Sequence, residues 1–229
     1  LPLGGGAPVD LMRGMDADSP TRPFGGSEDF AFTPDSKGVV FSAKDVGREE
    51  AWSTNYDLFL APVDGSTPPK KVVARPAWDA RPVYSPDGTT LAYLSMERPG
   101  YEADRFRIVL RDRATGNERV LTEGWDRSPD ELAWSRDGRT LYATAQDLGQ
   151  VALFGIDVAN GKVRRLVSKG SNHSPLVARG GRIVYLKDTL KSPAELYSVL
   201  PDGQGEARVT RVNDARLAAT RMGEAEQFS

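Results

Sequence analysis

An all-β fold, a propeller of four-stranded antiparallel blades, is predicted by three ordered series of near-repeats. The first is Phe32-Thr-Pro-Asp-Ser-Lys-Gly38, Tyr84-Ser-Pro-Asp-Gly88 and Trp134-Ser-Arg-Asp-Gly138, each followed at once by a short apolar strand. Its turn residues Asp35, Asp87 and Asp137 lie 52 and 50 residues apart, the period of one blade. The second series, Trp78-Asp-Ala-Arg-Pro82, Trp125-Asp-Arg-Ser-Pro129 and Ser171-Asn-His-Ser-Pro175, precedes the strand that enters the turn, with Asn213-Asp-Ala-Arg-Leu217 as a decayed copy. The third comprises the strand-and-turn stretches 56–65, 106–116, 151–161 and 195–203, each ending in Gly.

Each element of a blade follows from its residues. Inner strands are expected near 30–33, 82–85, 131–134 and 175–178. At the turn, Pro86 presets φ, Asp87 can accept an N–H two residues on, and Gly88 tolerates φ > 0. The chain returns through Thr90 to Ser95 with period-2 alternation, forms a third strand over Ile108 to Arg111, turns at Ala114 to Asn117, and ends in an outer strand over Arg119 to Thr122. Outer strands can carry Lys70-Lys71 or Arg164-Arg165, because one face is wet. Ahead of the first blade, residues 1–28 are expected to be a linker or part of a preceding blade, with an outer strand at Val9 to Arg13. Blades occupy 29–222, about four plus a remnant, with Arg208 to Arg211 as the last outer strand and an extra strand at Arg216 to Arg221. Four blades and a remnant do not visibly close, which leaves an incomplete propeller, a small strained ring, or self-association through open blade surfaces.

Composition narrows the function classes. The 229 residues are 39% hydrophobic and 27% charged, and no apolar run approaches the roughly 20 residues that span a bilayer, so no membrane is expected as a partner. Lys and Arg total 30 against 32 Asp and Glu, interspersed, which argues against nucleic acid. With no Cys there are no thiolate nucleophiles or disulfides, and no cofactor or metal is expected. The lone His173, the pair Asp130-Glu131 and the acceptor triplet Asn172-His-Ser174 are expected to be structural or unused, and no nucleophile elbow, zinc helix or phosphate loop occurs. No catalytic residue is assigned in this chain.

Recognition is expected on one rim. It collects the insertions 44–55 and 97–105 and the Trp-Asp segments, bringing forward Arg48, Glu49, Glu50, Trp52, Tyr101, Glu102, Arg105, Trp78, Asp79, Trp125 and Asp126. Trp78 and Trp125 recur at one repeat position and are expected to plug blade against blade, while Asp79 and Asp126 brace the turn. Arg48, Glu49, Glu50 and Trp52 are the candidates for substrate contact.

The repeats resemble WD40-like propeller repeats of the TolB type and, more closely, those of the prolyl-oligopeptidase superfamily of serine peptidases. Glu50 to Leu60, Trp78 to Gly88 and the tail Leu217 to Ser229 are similar to the bacterial acylaminoacyl/dipeptidyl-peptidase branch. The resemblance implies a substrate-gating and recognition propeller of a periplasmic or secreted exopeptidase acting on short peptides. Residues 223–229 would begin the seam to an α/β-hydrolase domain that carries the Ser, Asp and His of the triad, so this segment alone would be inactive. Members of the superfamily hold a substrate's free amino terminus with propeller carboxylates, and Glu49 and Glu50 are the nearest counterparts by location. A TolB-like interaction propeller without enzymatic activity is the alternative.

Overall fold

The computed structural model describes residues 4–21, 25–223 and 226, so the tail proposed as the seam lies largely outside the described residues. The chain is all-β in antiparallel blades and divides into two compact units, Leu1–Ser128 and Pro129–Ser229.

The first unit holds two four-stranded meanders. Strands β1 (Phe30–Phe32), β2 (Gly38–Ala43), β3 (Asp57–Pro62) and β4 (Lys70–Val73) form one, and β5 (Asp79–Tyr84), β6 (Thr90–Ser95), β7 (Arg107–Asp112) and β8 (Glu118–Val120) the other. The second unit repeats the meander with β9 (Pro129–Trp134), β10 (Thr140–Asp147), β11 (Gln150–Asp157) and β12 (Val163–Val167), then β13 (Ser171–Val177), β14 (Ile183–Thr189), β15 (Ser192–Val199) and β16 (Ala207–Arg208). A parallel link at Val151 and Ser171 joins these last two meanders into one eight-stranded sheet. Asn172 sits at that link, fully buried, with Nδ2 donating to the Val151 carbonyl at 2.5 Å, which makes the glycosylation triplet inaccessible.

Every residue of β2 is buried because both faces of its sheet are covered. Val40 packs with Leu58 and Val73 against Leu91, Tyr93 and Val109 of the next blade, while Val39, Phe41 and Phe59 on the other side meet Leu11, Met12 and Met15. In the second unit Tyr142, Leu153 and Val167 meet Ile183, Tyr185 and Val199 in the same manner. Outer strands β4, β8 and β12 are short and charged, as expected.

One turn is built three times. The hydroxyls of Thr33, Ser85 and Ser135 donate to Asp35, Asp87 and Asp137 at 2.6, 2.6 and 2.7 Å, and each carboxylate accepts the N–H two residues on, from Lys37, Thr89 and Arg139. The hydroxyl bond is the largest cause holding all three carboxyls below their ordinary range.

Four sequence expectations need correction. Inner strands begin earlier than expected: at Asp79 and Ser171 the segments before proline are themselves strand, and β9 starts at Pro129 itself. Arg81 and Ser174, each preceding a proline, adopt φ of 52°, and the registers of β5 and β13 shift around them as bulges. Residues 11–14 form a turn instead of an outer strand, with the Met15 N–H donating to the Met12 carbonyl; the apolar side chains cap the first blade instead of pairing with it. The last outer strand spans only Ala207 and Arg208. The expected strand at 216–221 is replaced by a short helix, α1 (Asp214–Ala218). In the other copies proline holds the preceding residue out of the helical region, and here Leu217 stands in its place.

Glu195 fixes this C-terminal segment. Buried on β15, its carboxylate accepts from the Thr210 hydroxyl, the Asn213 N–H (2.9 Å), the Val212 N–H (3.2 Å) and Arg208 (3.1 Å), and Arg208 also reaches Asp214 at 2.5 Å. The Thr210 hydroxyl first, then those amides and Arg208, depress the carboxyl to about 2 against the opposing effect of burial. Its stabilising contribution is therefore present above the ordinary carboxyl range and is lost as pH falls toward 2. Glu195→Gln is expected to release amide-exchange protection across 208–217 while leaving β9 to β11 unchanged. Unaltered protection at Val212 and Asn213 would contradict the clamp.

Candidate functional site

Two insertions of the first unit shape one site. Loop 44–55 contains a 3-10 turn at Gly47–Glu49, and loop 96–106 is drawn to it by the Gly100 N–H donating to Thr54 Oγ1 at 2.9 Å. Within the second loop the Asp104 carboxylate accepts from the Glu97 and Arg98 amides, both at 2.8 Å, and from the Arg98 guanidinium. These bonds outweigh partial burial and bring the carboxyl down to about 2. Arg105 reaches the Trp125 and Thr122 carbonyls at 2.6 and 3.2 Å, so its cation is spent on the backbone.

Beside these loops lies a cavity of about 550 Å³ whose wall includes Asp16, Asp18, Lys44, Gly47, Glu50 and Tyr56. The buried Tyr56 ring stacks on Trp78 at 4.7 Å between centroids, and Trp78 meets Phe106 edge-on at 5.7 Å, which fixes the cavity floor at the joint of two blades. Trp78 therefore acts as the packing plug expected from its repeat position. Burial, then the carboxylates of Glu50, Asp29, Glu102 and Asp18, raise the Tyr56 phenol above its ordinary value. A field that disfavours the phenolate favours a cation. Lys44 is the cation already in the wall, and its ammonium donates to the Glu50 and Ser53 carbonyls at 2.8 and 3.0 Å while standing 3.7 Å from Glu50 Oε1.

Of the four sequence candidates, the structure brings only Glu50 into this wall. Arg48, Glu49 and Trp52 are exposed on the loop, with Trp52 at 71% exposure. Asp16, Asp18, Lys44 and Tyr56 escaped sequence reading as site residues. Alternating acids at Asp16 and Asp18 were the available signal for the first two, masked by the assignment of 1–28 as linker.

Elsewhere the titratable candidates serve the scaffold. Asp79 is fully buried and accepts the Arg75 N–H at 3.1 Å, bracing its turn as expected. Glu131 accepts the Ser174 N–H at 2.6 Å, tying β9 to β13. His173 Nε2 lies 3.4 Å from Asp188 Oδ1 across β13 and β14. Among the described residues no group of carboxylates and His is placed to hold a metal ion, and no helix is long and apolar enough to cross a membrane.

No protein-family model matches the chain. It is 29% identical over 209 residues to dipeptidyl-peptidase 5 of Porphyromonas gingivalis, covering 91% of this chain and 31% of that protein. The chain thus spans between about a fifth and a third of the length of the curated relatives it matches. Among solved structures, a putative TolB from Agrobacterium tumefaciens superposes with a TM-score of 0.62 at 21% identity over 79% of this chain and 63% of that one. An acylaminoacyl peptidase from Pyrococcus horikoshii gives 0.62 at 23% identity over 87% and 29%. In sequence the chain is homologous to a segment of dipeptidyl-peptidase 5 proteins, and in fold it is a β-sheet-rich segment of the kind shared by TolB-like propellers and prolyl-oligopeptidase-family peptidases.

Proposed function

We propose that this chain is the non-catalytic, substrate-gating propeller segment of a serine exopeptidase acting on short peptides, with the triad supplied by an α/β-hydrolase domain outside residues 1–229. The supporting observation is the cavity that gathers Asp16, Asp18 and Glu50 beside a buried phenol. A peptide's terminal ammonium is the chemistry this wall suits: it carries three carboxylates, while the Lys44 ammonium is held by two backbone carbonyls. The likeness to dipeptidyl-peptidase 5 supports short peptides as the substrate class, and the family resemblance is consistent with a periplasmic or secreted protein.

The test is kcat/KM for free-amino and N-acetylated peptides in the full-length polypeptide carrying Glu50→Gln or Glu49→Gln. Glu50→Gln is expected to lower the free-amino value by about 10–100-fold, the equivalent of a charge-assisted bond worth roughly 1.5–3 kcal/mol, and to spare the acetylated substrate. Glu49→Gln is expected to leave both unchanged, since Glu49 is exposed outside the wall. Equal losses on both substrates, or none, would remove amine recognition. A second reading, a TolB-like interaction propeller, draws on the larger share of the Agrobacterium protein that the chain covers, 63%. It predicts no peptide hydrolysis by the full-length polypeptide at all.

A further inference from the structure

The joint between the two blades of the first unit has an apolar core and a cationic end. In the core, Val40, Leu58 and Val73 meet Leu91, Tyr93 and Val109. Leu60, two residues on from Leu58 and so on the same face of the sheet, pairs with Lys70 on β4. There, beside the Asp35 turn, a cavity of about 330 Å³ opens that shares no wall residue with the one holding Glu50 and Tyr56. A volume of this size falls at the lower end of the range for small-molecule sites, roughly 300–1,000 Å³.

The cavity wall concentrates positive charge. Lys37 follows the Asp35 turn, Lys70 opens β4, and Arg113 reaches in from the second blade. Arg113 is oriented by the Gly88 carbonyl, to which Nη1 donates at 2.6 Å, and by the Tyr84 ring, whose centroid lies 5.0 Å from Cζ. The Lys37 and Lys70 ammonium groups make no hydrogen bond or salt bridge with the described residues. Lys71, on the alternate face of β4, is by contrast spent on Asp57 at 2.6 Å. Among the described residues of the wall Asp35 is the one carboxylate, and it already accepts from the Thr33 hydroxyl and the Lys37 N–H. Three cations against one carboxylate leave an excess of two positive charges, in a chain whose own net charge is −2. Charge of one sign gathered in a concave site draws in the opposite sign. Leu60, Pro62 and Pro68 complete the wall with apolar surface.

We propose that this cavity binds the phosphate monoester of a small organic molecule, its head between Lys37, Lys70 and Arg113 and its organic group against Leu60 and Pro68. Charge chooses this ligand over a carboxylate or a sulfate ester. At neutral pH a phosphate monoester carries close to two negative charges, matching the excess in the wall, and it offers an acceptor oxygen to each cation. The site is separate from the Glu50 cavity and is independent of any peptidase activity.

The test is calorimetric titration of the full-length polypeptide with glycerol phosphate at constant ionic strength. Saturable binding is expected with a Kd below about 1 mM. Lys37→Met, Lys70→Met and Arg113→Gln are each expected to weaken it about 10-fold, whereas Lys162→Met, on an exposed turn of the second unit, leaves it unchanged. Acetate and methyl sulfate, both monoanions, are expected to bind at least about 10-fold more weakly than the ester. Because Arg113 also bonds Gly88, the two lysine variants carry the decision. Absence of saturable binding, equal affinity for the monoanions, or lysine variants that bind as the wild type does would overturn the proposal. Binding confined to vesicles bearing phosphatidate would overturn it in favour of a lipid surface.

Discussion

Gly88→Val is expected to destabilise the protein by about 2–6 kcal/mol. Gly88 has φ of 72°, where a β-branched side chain is strained by roughly 1–3 kcal/mol. A Cβ added there would also lie 2.9 Å from both Cβ and Cγ of Pro34, so the turn of one blade would be pushed off the turn of its neighbour, at an overpacking cost of about 1–3 kcal/mol. Gly138 separates the two contributions, since its φ is 69° and a Cβ would meet nothing within 4 Å. Gly138→Val should therefore cost only the strain, about 1–3 kcal/mol. Gly100, in the long loop 96–106, has φ of 70° and open surroundings, which place it with Gly138. Urea melts that rank Gly88→Val level with or below the other two would contradict the contact with Pro34.

The pH dependence of stability is expected to carry the signature of Asp79. Burial drives this carboxyl up to about 7, against the pull of the Ser95 hydroxyl and the Arg75 amide. Because its folded value is raised, the folded protein keeps a proton that the unfolded chain releases near pH 4. Stability contributed by this group is thus full below pH 4, falls by up to about 1.4 kcal/mol per pH unit between 4 and 7, and is level above. Asp79→Asn keeps an oxygen to accept the Arg75 N–H and cannot ionise. Its stability relative to the wild type is expected to rise across that window by on the order of 2–4 kcal/mol. Asp104 and Glu195, both depressed to about 2, act in a separate window below the ordinary carboxyl range, where their contributions are lost as pH falls. A difference between variant and wild type that stays flat from pH 4 to 8 would show that Asp79 is ionised in the fold.

What was legible in the sequence is what local chemistry decides. The Asp-Gly turns were readable because Pro86, Asp87 and Gly88 each have a separate conformational reason to be there, and Thr89 and Ser85 bond Asp87 accordingly. Strand alternation placed the third and outer strands within a few residues. The bulges at Arg81 and Ser174 were not readable, since positive φ at these residues is imposed by tertiary pairing and not by their own preference. The helix at Asp214–Ala218 was misread because a repeat was inferred from its polar residues, although Leu217 lacks the proline that made the other copies extended. At the site, an exposed pair of acids drew the eye to Glu49 and Glu50, but only three-dimensional packing brings Asp16, Asp18 and the Tyr56 ring beside Glu50. Those residues are separated in sequence and share no motif, so no spacing rule could have grouped them.

The central claim, a recognition propeller whose catalytic serine lies elsewhere in a longer peptidase, is tested most directly by labelling with a fluorophosphonate serine probe. The full-length polypeptide is expected to take up one equivalent on a serine outside residues 1–229, with concurrent loss of peptide hydrolysis, and the 229-residue chain to take up none. Labelling of a serine within residues 1–229, or a full-length polypeptide that resists the probe, would contradict it.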